Sequence, residues 1–341
     1  MISQKKLKKV KTLFLKKEAL TLKNIRNSLN IQILFFKNNS LVKAWISAAR
    51  IRTLPLSVSG ILMGSSYAYF SGKFVLSIFL IALLTTISYQ LLSNFANDYG
   101  DGVKGTDDNR TGPKRTVQSG LISRFLMKRG IIILSIISSF LTLVLIVLAF
   151  GLKSFYVLIF AALGGLAIFS AIKYTVGKFA YGYFGLGDLF VFIFFGLVSV
   201  LGSNFLFDSV LELKLLYPSV ALGLLSVGVL NLNNMRDLQN DAKCGKKTLA
   251  VLLGAQKAKL YHIFIITSAI VLICVFQYSL NISSNCLNTL FVLNSLGLFI
   301  HLILILKVSK PLGFDKYLKV LALHAFVFSL LTSFFFFKII V

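Results

Sequence analysis

From residue 54 to the end, the sequence returns to one theme: an apolar run of roughly 20 residues followed by a polar connection. A helix needs about 20 apolar residues to cross roughly 30 Å of hydrocarbon, and in lipid every backbone amide must be paired within the structure. Barrel strands would be shorter and would alternate in polarity. These runs are long and continuous, so they read as helices. Nine segments meet the criterion, near 54–71, 75–97, 130–150, 154–173, 184–203, 216–234, 260–279, 287–306 and 319–338. The expected fold class is all-α: a polytopic membrane helical bundle of about nine transmembrane helices. With 57% hydrophobic residues and a mean hydropathy of +0.84, the chain lies outside the range of ordinary soluble domains, about 45–50% apolar.

The net charge of +25 would suit nucleic acid, but the basic residues lie in the lead and in the connections between runs, where they suit anionic headgroups. Connections after the second, fourth, sixth and eighth runs carry Lys104, Arg110, Lys114 and Arg115; Lys173 and Lys178; Arg236, Lys243, Lys246 and Lys247; and Lys307, Lys310 and Lys316. The alternate connections carry little beyond Lys73, Lys153 and Lys214. The positive-inside rule then puts the N-terminus and the even connections in the cytoplasm and the C-terminus outside. The expected location is the cell's inner (cytoplasmic) membrane, with no nucleic-acid partner. Residues 1–48 form a basic lead with Glu18 its only acid, separate from a transmembrane domain at 49–341. Two readings of the lead stand side by side: a cytoplasmic polybasic segment, disordered or lying as a helix on headgroups, and a start assigned too early. Cys244, Cys274 and Cys286 are scattered and read as free thiols.

Only 11 residues are Asp or Glu, and they gather. Asn94–Arg115 holds Asp98, Asp101, Asp107 and Asp108 beside Arg110, Lys114 and Arg115. If the second run continues as a helix, Asn94, Asp98 and Asp101 share one face at i, i+4, i+7. At the end of the sixth run, Asn233, Asp237 and Asp241 fall at i, i+4, i+8, with Asn234 three residues before Asp237. Glycine and basic residues follow in both places, so the two look like versions of one device. Carboxylate and amide oxygens on a helix face suit Mg2+, which shares oxygen ligands with substrate phosphates. Arg110, Lys114, Arg115, Arg236, Lys246 and Lys247 are placed to contact phosphate oxygens. A metal–diphosphate site at the membrane surface is the expectation, with either Asp107 or Asp108 as a further ligand.

The connection after the fourth run adds Tyr174 and, four residues on, Lys178, which can pair with phosphate. Asp188 lies near the start of the fifth run, where an acid is costly unless paired or facing a wet cavity. Arg50 and Arg52 read first as headgroup anchors. His262, His301 and His324 lack metal spacing and read as packed or interfacial residues.

The segments NDYGDGVKGTDD at 97–108, YTVGK at 174–178 and NNMRDLQNDAKCGKKTLAVLLG at 233–254 resemble the UbiA superfamily of intramembrane aromatic prenyltransferases. GPKRTVQSG and ARIRTLP fit its 1,4-dihydroxy-2-naphthoate polyprenyltransferase branch. The likeness runs from about Ala49 to the C-terminus. It implies a nine-helix bundle whose cavity opens to the cytoplasm and to lipid. It further implies that Asn97, Asp98 and Asp101 on one side and Asp237 and Asp241 on the other bind diphosphate through Mg2+, with Tyr174 and Lys178 nearby. The broad superfamily pattern has an acid where this chain has Gly105, with Asp107 two residues later. The implied substrates are a polyprenyl diphosphate and an aromatic acid acceptor, joined with loss of CO2 to give demethylmenaquinone. Rivals are a relative using 4-hydroxybenzoate or homogentisate, and a membrane transporter. Acids at helix ends rather than at the midplane count against transport.

Overall fold

The computed structural model describes residues 40–106, 115–152, 154–280 and 284–340, with side chains through residue 337. Asp107, Asp108, Arg110 and Lys114 lie outside the described residues, as does the lead up to residue 39. Residues 40–47 are helical and belong to a unit of their own; Ala48–Val341 is the second. In that second unit the helices are α1 (Leu54–Phe70), α2 (Leu76–Lys104), α3 (Arg124–Phe150), α4 (Tyr156–Lys173), α5 (Gly187–Asp208), α6 (Leu216–Lys243), α7 (Leu249–Ser279), α8 (Asn285–Leu306) and α9 (Phe314–Ile340). No strand occurs among the described residues. Eight of the helices have the length and apolar character to cross a bilayer, and the protein is a multi-pass membrane protein. The remaining one, α1, is 17 residues long.

Each apolar run is a helix, and several helices extend past their runs. Ser123 caps α3 by accepting from Leu126 N at 3.2 Å, and Thr248 caps α7 by accepting from Val251 N at 3.3 Å. Both caps satisfy amides that a helix start leaves unpaired, so α3 begins in the mixed stretch Arg124–Arg129 ahead of its run, and α7 begins with a short apolar turn, Leu249–Leu253, that leaves helical geometry at Gly254 before the span. Conversely, α2 and α6 continue beyond their apolar parts to Lys104 and Lys243. These polar ends carry the acids.

The most buried span is α6, which packs against α5, α7 and α9. Its approach to α5 is set by glycine: a Cβ at Gly196 would lie 2.6 Å from the Ser219 carbonyl and 2.7 Å from Gly223 Cα. Small residues of this kind let membrane helices pack backbone to backbone. The middle of α5, Phe192–Gly202, is π-wound. Outward faces are apolar: Ile132, Ile136, Phe140 and Leu143 make an exposed stripe along α3, the arrangement lipid tails require. The end of α2, the α4–α5 connection, the end of α6 and the start of α9 meet at one end of the bundle.

Candidate active site

The two acid-bearing helices stop in the same way. Gly105 (φ 73°) and Gly245 (φ 71°) take the left-handed conformation that ends a helix cheaply only in glycine. Thr106 N then donates to the Asp101 carbonyl at 3.0 Å, and Lys246 N donates to the Asp241 carbonyl at 2.8 Å. Each is the six-to-one bond of a Schellman stop. The glycine at 105, where the broader motif has an acid, is therefore the residue that terminates α2.

These two stops are joined. Asn240 Nδ2 donates to the Thr106 carbonyl at 2.5 Å. Lys246, buried, donates from Nζ to Asp101 Oδ2 at 3.1 Å. Tyr183, from the α4–α5 connection, donates to Asp101 Oδ1 at 2.8 Å, and its hydroxyl lies 2.6 Å from Thr106 Oγ1. Lys104 stands 3.6 Å above the Tyr183 ring, within cation–π range. Burial alone would pull the Lys246 pKa down; the carboxylates of Asp101 and Asp241 more than reverse this and raise it. Lys246 is thus a fixed ammonium between the two acid clusters.

Asp98 is held on one side only. Its Oδ2 accepts from Thr116 N at 3.2 Å and from Thr116 Oγ1 at 2.5 Å, while its Oδ1 is buried without a hydrogen-bond partner. Asn97 Oδ1 is likewise buried and unpartnered. Unpartnered buried oxygens on consecutive residues are hard donors of the kind that Mg2+ takes. Among the described residues no three His, Cys, Asp or Glu side chains form a closed metal cage.

On α6, Arg236 is buried and spans three partners. It clamps Asp237 with Nε to Oδ1 at 3.0 Å and Nη2 to Oδ2 at 2.8 Å. Nη1 reaches Asp315 at the start of α9 at 2.6 Å, and Nη2 also donates to Asn233 at 2.6 Å. Arg52 lies 4.0 Å from the same Asp315. Asn234 is buried one position along. Arg236, expected from sequence to contact substrate, has its described bonds within the protein.

The YTVGK segment is pinned to α2. A Cβ on Gly100 would lie 2.5 Å from Thr175 Oγ1, and Thr175 Oγ1 donates to the Ala96 carbonyl at 3.0 Å. Tyr174 stands beside it with its pKa raised by burial and by the carboxylates of Asp101, Asp188 and Asp241, opposed by Arg50. Its hydroxyl therefore stays protonated among the acids. Arg50 reaches this neighbourhood from a left-handed backbone (φ 49°). Lys178 and Lys247 are exposed, and neither bonds through its side chain to a described acid. Asn94 donates to the Ala49 carbonyl at 2.8 Å, tying α2 to the turn before α1. Arg115 directly precedes Thr116, where the chain returns onto α2.

Thr116, Asn240 and Asp315 escaped sequence reasoning, and Tyr183, in the stretch that follows Lys178, was given no role by it. Asp315 carried a signal, being one of so few acids and sitting at the mouth of an even connection. The other three are ordinary polar residues marked only by the fold. His262 and His301 pair through Nε2 at 3.1 Å within the span, and His324 meets Asn294 at 2.8 Å, so the histidines are packed as expected.

The model of the UbiA prenyltransferase family matches residues 57–331. A 1,4-dihydroxy-2-naphthoate octaprenyltransferase of Haemophilus influenzae is 42% identical over 278 residues, covering 80% of this chain and 89% of that one. The enzyme of the same name from Escherichia coli K12 is 43% identical over 239 residues, 70% of this chain and 77% of that one. The solved UbiA homologue of Archaeoglobus fulgidus, bound to GPP and Mg2+, superposes with a TM-score of 0.58 at 12% identity, covering 85% of this chain and 99% of that one.

Proposed function

The chain belongs to the UbiA prenyltransferase family, and we propose that it transfers a polyprenyl group from polyprenyl diphosphate to 1,4-dihydroxy-2-naphthoate. CO2 and diphosphate are lost, and demethylmenaquinone forms in its reduced state. The observation that carries this is the meeting of the two acid-bearing helix ends across the Lys246–Asp101 bond, in a chain more than 40% identical to two enzymes named for that reaction. Basic connections at the same end suit the cytoplasmic side of the inner membrane.

Asp98 and Asn97, with their free oxygens, would hold Mg2+, and Asp101, Asp107, Asp237 and Asp241 are the further candidate ligands. When bound, Mg2+ offsets negative charge on the diphosphate as the C–O bond breaks. Lys246 adds a fixed cation aimed at the same oxygens, and fixed charges act without reorganisation at the moment of reaction. Tyr174 keeps a neutral hydroxyl that donates to phosphate, while Tyr183 gives its hydrogen to Asp101 and holds that carboxylate in place. Lys178 and Lys247 are exposed beside the site and draw in the anionic donor, with Arg110, Lys114 and Arg115 as further candidates from sequence for phosphate contact. The apolar bundle around the reacting carbon keeps water from capturing the allylic cation.

The test is purified protein in detergent with Mg2+, a mixed set of polyprenyl diphosphates and 1,4-dihydroxy-2-naphthoate, followed by product mass. Prenylated, decarboxylated product that disappears in Asp98→Asn and Asp241→Asn supports the assignment. Product from 4-hydroxybenzoate but not from the naphthoate would replace the acceptor.

A further inference from the structure

One buried acid has no place in the donor site. Asp188 sits in the first turn of α5, 8% exposed. Its described side-chain partner on another helix is Tyr261 of α7, whose hydroxyl donates to Oδ2 at 3.1 Å. No lysine or arginine among the described residues pairs with it. Asp101 has Lys246 and Asp237 has Arg236; Asp188, like Asp98, has no such cation, but unlike Asp98 it lies on neither acid-bearing helix. A phenol orients a carboxylate but does not neutralise it, and an unpaired acid inside a membrane protein is retained for a task.

Its neighbour is Tyr174. A Cβ on Gly187 would lie 3.0 Å from Tyr174 Cε2 and 3.3 Å from its hydroxyl oxygen, so the ring of Tyr174 rests against the residue preceding Asp188. The raised pKa of Tyr174 reflects its burial first and then the carboxylates of Asp101, Asp188 and Asp241. Tyr174 thus feels the donor carboxylates and also touches the residue that precedes Asp188. A substrate whose reacting carbon meets the donor beside Tyr174 would present its own polar groups to Asp188.

We infer that Asp188, oriented by Tyr261, is the base of the acceptor subsite. The inference rests on the function proposed above. The acceptor hydroxyl next to the alkylated carbon gives its proton to Asp188, and its electrons become a ring carbonyl. The ring carbon forms its bond to the prenyl carbon while the C–O bond breaks and diphosphate leaves with the electron pair. That carbon now bears the prenyl group and the carboxylate beside a ketone. The C–CO2 bond then breaks, CO2 departs, its electrons restore the aromatic ring, and the enolate oxygen recovers the proton from Asp188. No proton is gained or lost overall, and no oxidant is required.

The experiment compares wild type, Asp188→Asn and Tyr261→Phe in the full chain. General-base loss predicts that Asp188→Asn lowers turnover of the naphthoate by about 100-fold or more. Binding of a non-hydrolysable polyprenyl diphosphate analogue with Mg2+, measured calorimetrically, is expected to stay at the wild-type value. The deficit is expected to shrink with a substituted naphthoate whose hydroxyl is already ionised in the buffer, because that acceptor needs no base. Should Asp188→Asn fail to fold, Tyr261→Phe leaves the carboxylate in place and is expected to show a smaller deficit with the same rescue. Wild-type turnover in Asp188→Asn, equal loss with the ionised acceptor, or a parallel loss of donor binding would each overturn the base assignment. A wild-type protein that alkylates no naphthoate at all would instead remove the function on which the assignment rests.

Discussion

Lys246 Nζ lies 3.1 Å from Asp101 Oδ2, joining residues 145 positions apart in sequence. The bond closes the gap between two helix ends that the fold had to bring together, and it puts a permanent positive charge where two acid clusters face each other. Replacing Lys246 by Met keeps the length of the side chain and removes the charge. Asp101 is then buried with Tyr183 as its remaining described side-chain donor, and breaking a buried pair costs about 3–5 kcal/mol. The expected outcome is a lowered melting temperature that Mg2+ partly restores, with a larger Mg2+ response than in wild type. Thermal melts in detergent with Mg2+ and with EDTA check this; equal Mg2+ responses would argue against a shared site.

The same bridge sets a pH expectation. The folded pKa of Lys246 is raised above its ordinary value, so its stabilisation is complete below the unfolded pKa of about 10.4. It is lost only as pH climbs from there through the folded value. Melting curves of wild type and Lys246→Met should therefore differ by a constant amount between neutrality and about pH 10. A difference that fades near neutrality would mean the ammonium is not held as described.

Arg236 offers a contrasting case, because its charge is spent inside the protein. It clamps Asp237, reaches Asp315 on α9 and touches Asn233. Arg236→Lys keeps one positive charge but cannot form the two-pronged contact. A loss of about 2–3 kcal/mol is expected for Lys and about 3–5 kcal/mol for Ala, which strands two acids. Asp315→Asn, half-way to the surface, should cost less than either. Thermal denaturation followed by circular dichroism would rank them, and a harmless Arg236→Ala would show the clamp to be ornamental.

How far the sequence reaches is visible in these residues. Apolar runs locate the helices because lipid leaves a backbone no other solution, and the paired acids stand out because the chain has so few. Sequence also places Asp98, Asp101, Asp237 and Asp241 on two helix ends. It does not tell which lysine bridges them: Lys178 and Lys246 look equivalent as letters, yet one is exposed and the other buried against Asp101. Nor does it show that Arg236 faces Asp315 from 79 residues away. Such partnerships depend on how helices rotate about their axes, which the packing of all nine decides together. The starts of α3 and α7 were hidden for a simpler reason: charged residues Arg124, Lys128 and Arg129 interrupt the first, and Gly254 with the polar stretch after it separates the short apolar start of the second from its span.

Gly100 tests whether the α4–α5 connection must sit where it does. A methyl there would fall 2.5 Å from Thr175 Oγ1 and 2.8 Å from the Thr175 carbonyl carbon. Backbone cannot swing aside as a side-chain tip can, so Gly100→Ala must push the connection away from α2 and carry Tyr174 with it. Overpacking of this kind costs about 1–3 kcal/mol. Activity is expected to fall by about 10-fold or more, since small displacements of positioning groups are felt strongly in rate. Gly165, with open space around its Cβ, is the control, and Gly165→Ala should leave turnover unchanged.

Thr116 holds Asp98 by one oxygen and leaves the other bare, which fixes the direction in which the free oxygen points. Thr116→Val removes the hydroxyl while preserving shape and the backbone donor. Asp98 is then oriented by a single hydrogen bond, and the lost charge-assisted contact is worth about 1.5–3 kcal/mol. Because that contact orients a metal-facing carboxylate, the loss should appear chiefly as weaker divalent binding, about 10–100-fold as for other groups that position ligands. Thr116→Ser restores the hydroxyl and should restore affinity. Mn2+ titration followed by electron paramagnetic resonance, in the presence of a donor analogue, reads the affinity without relying on turnover. An unchanged Mn2+ affinity in Thr116→Val, with Asp98→Asn abolishing binding, would mean that Asp98 needs no help in aiming its oxygen.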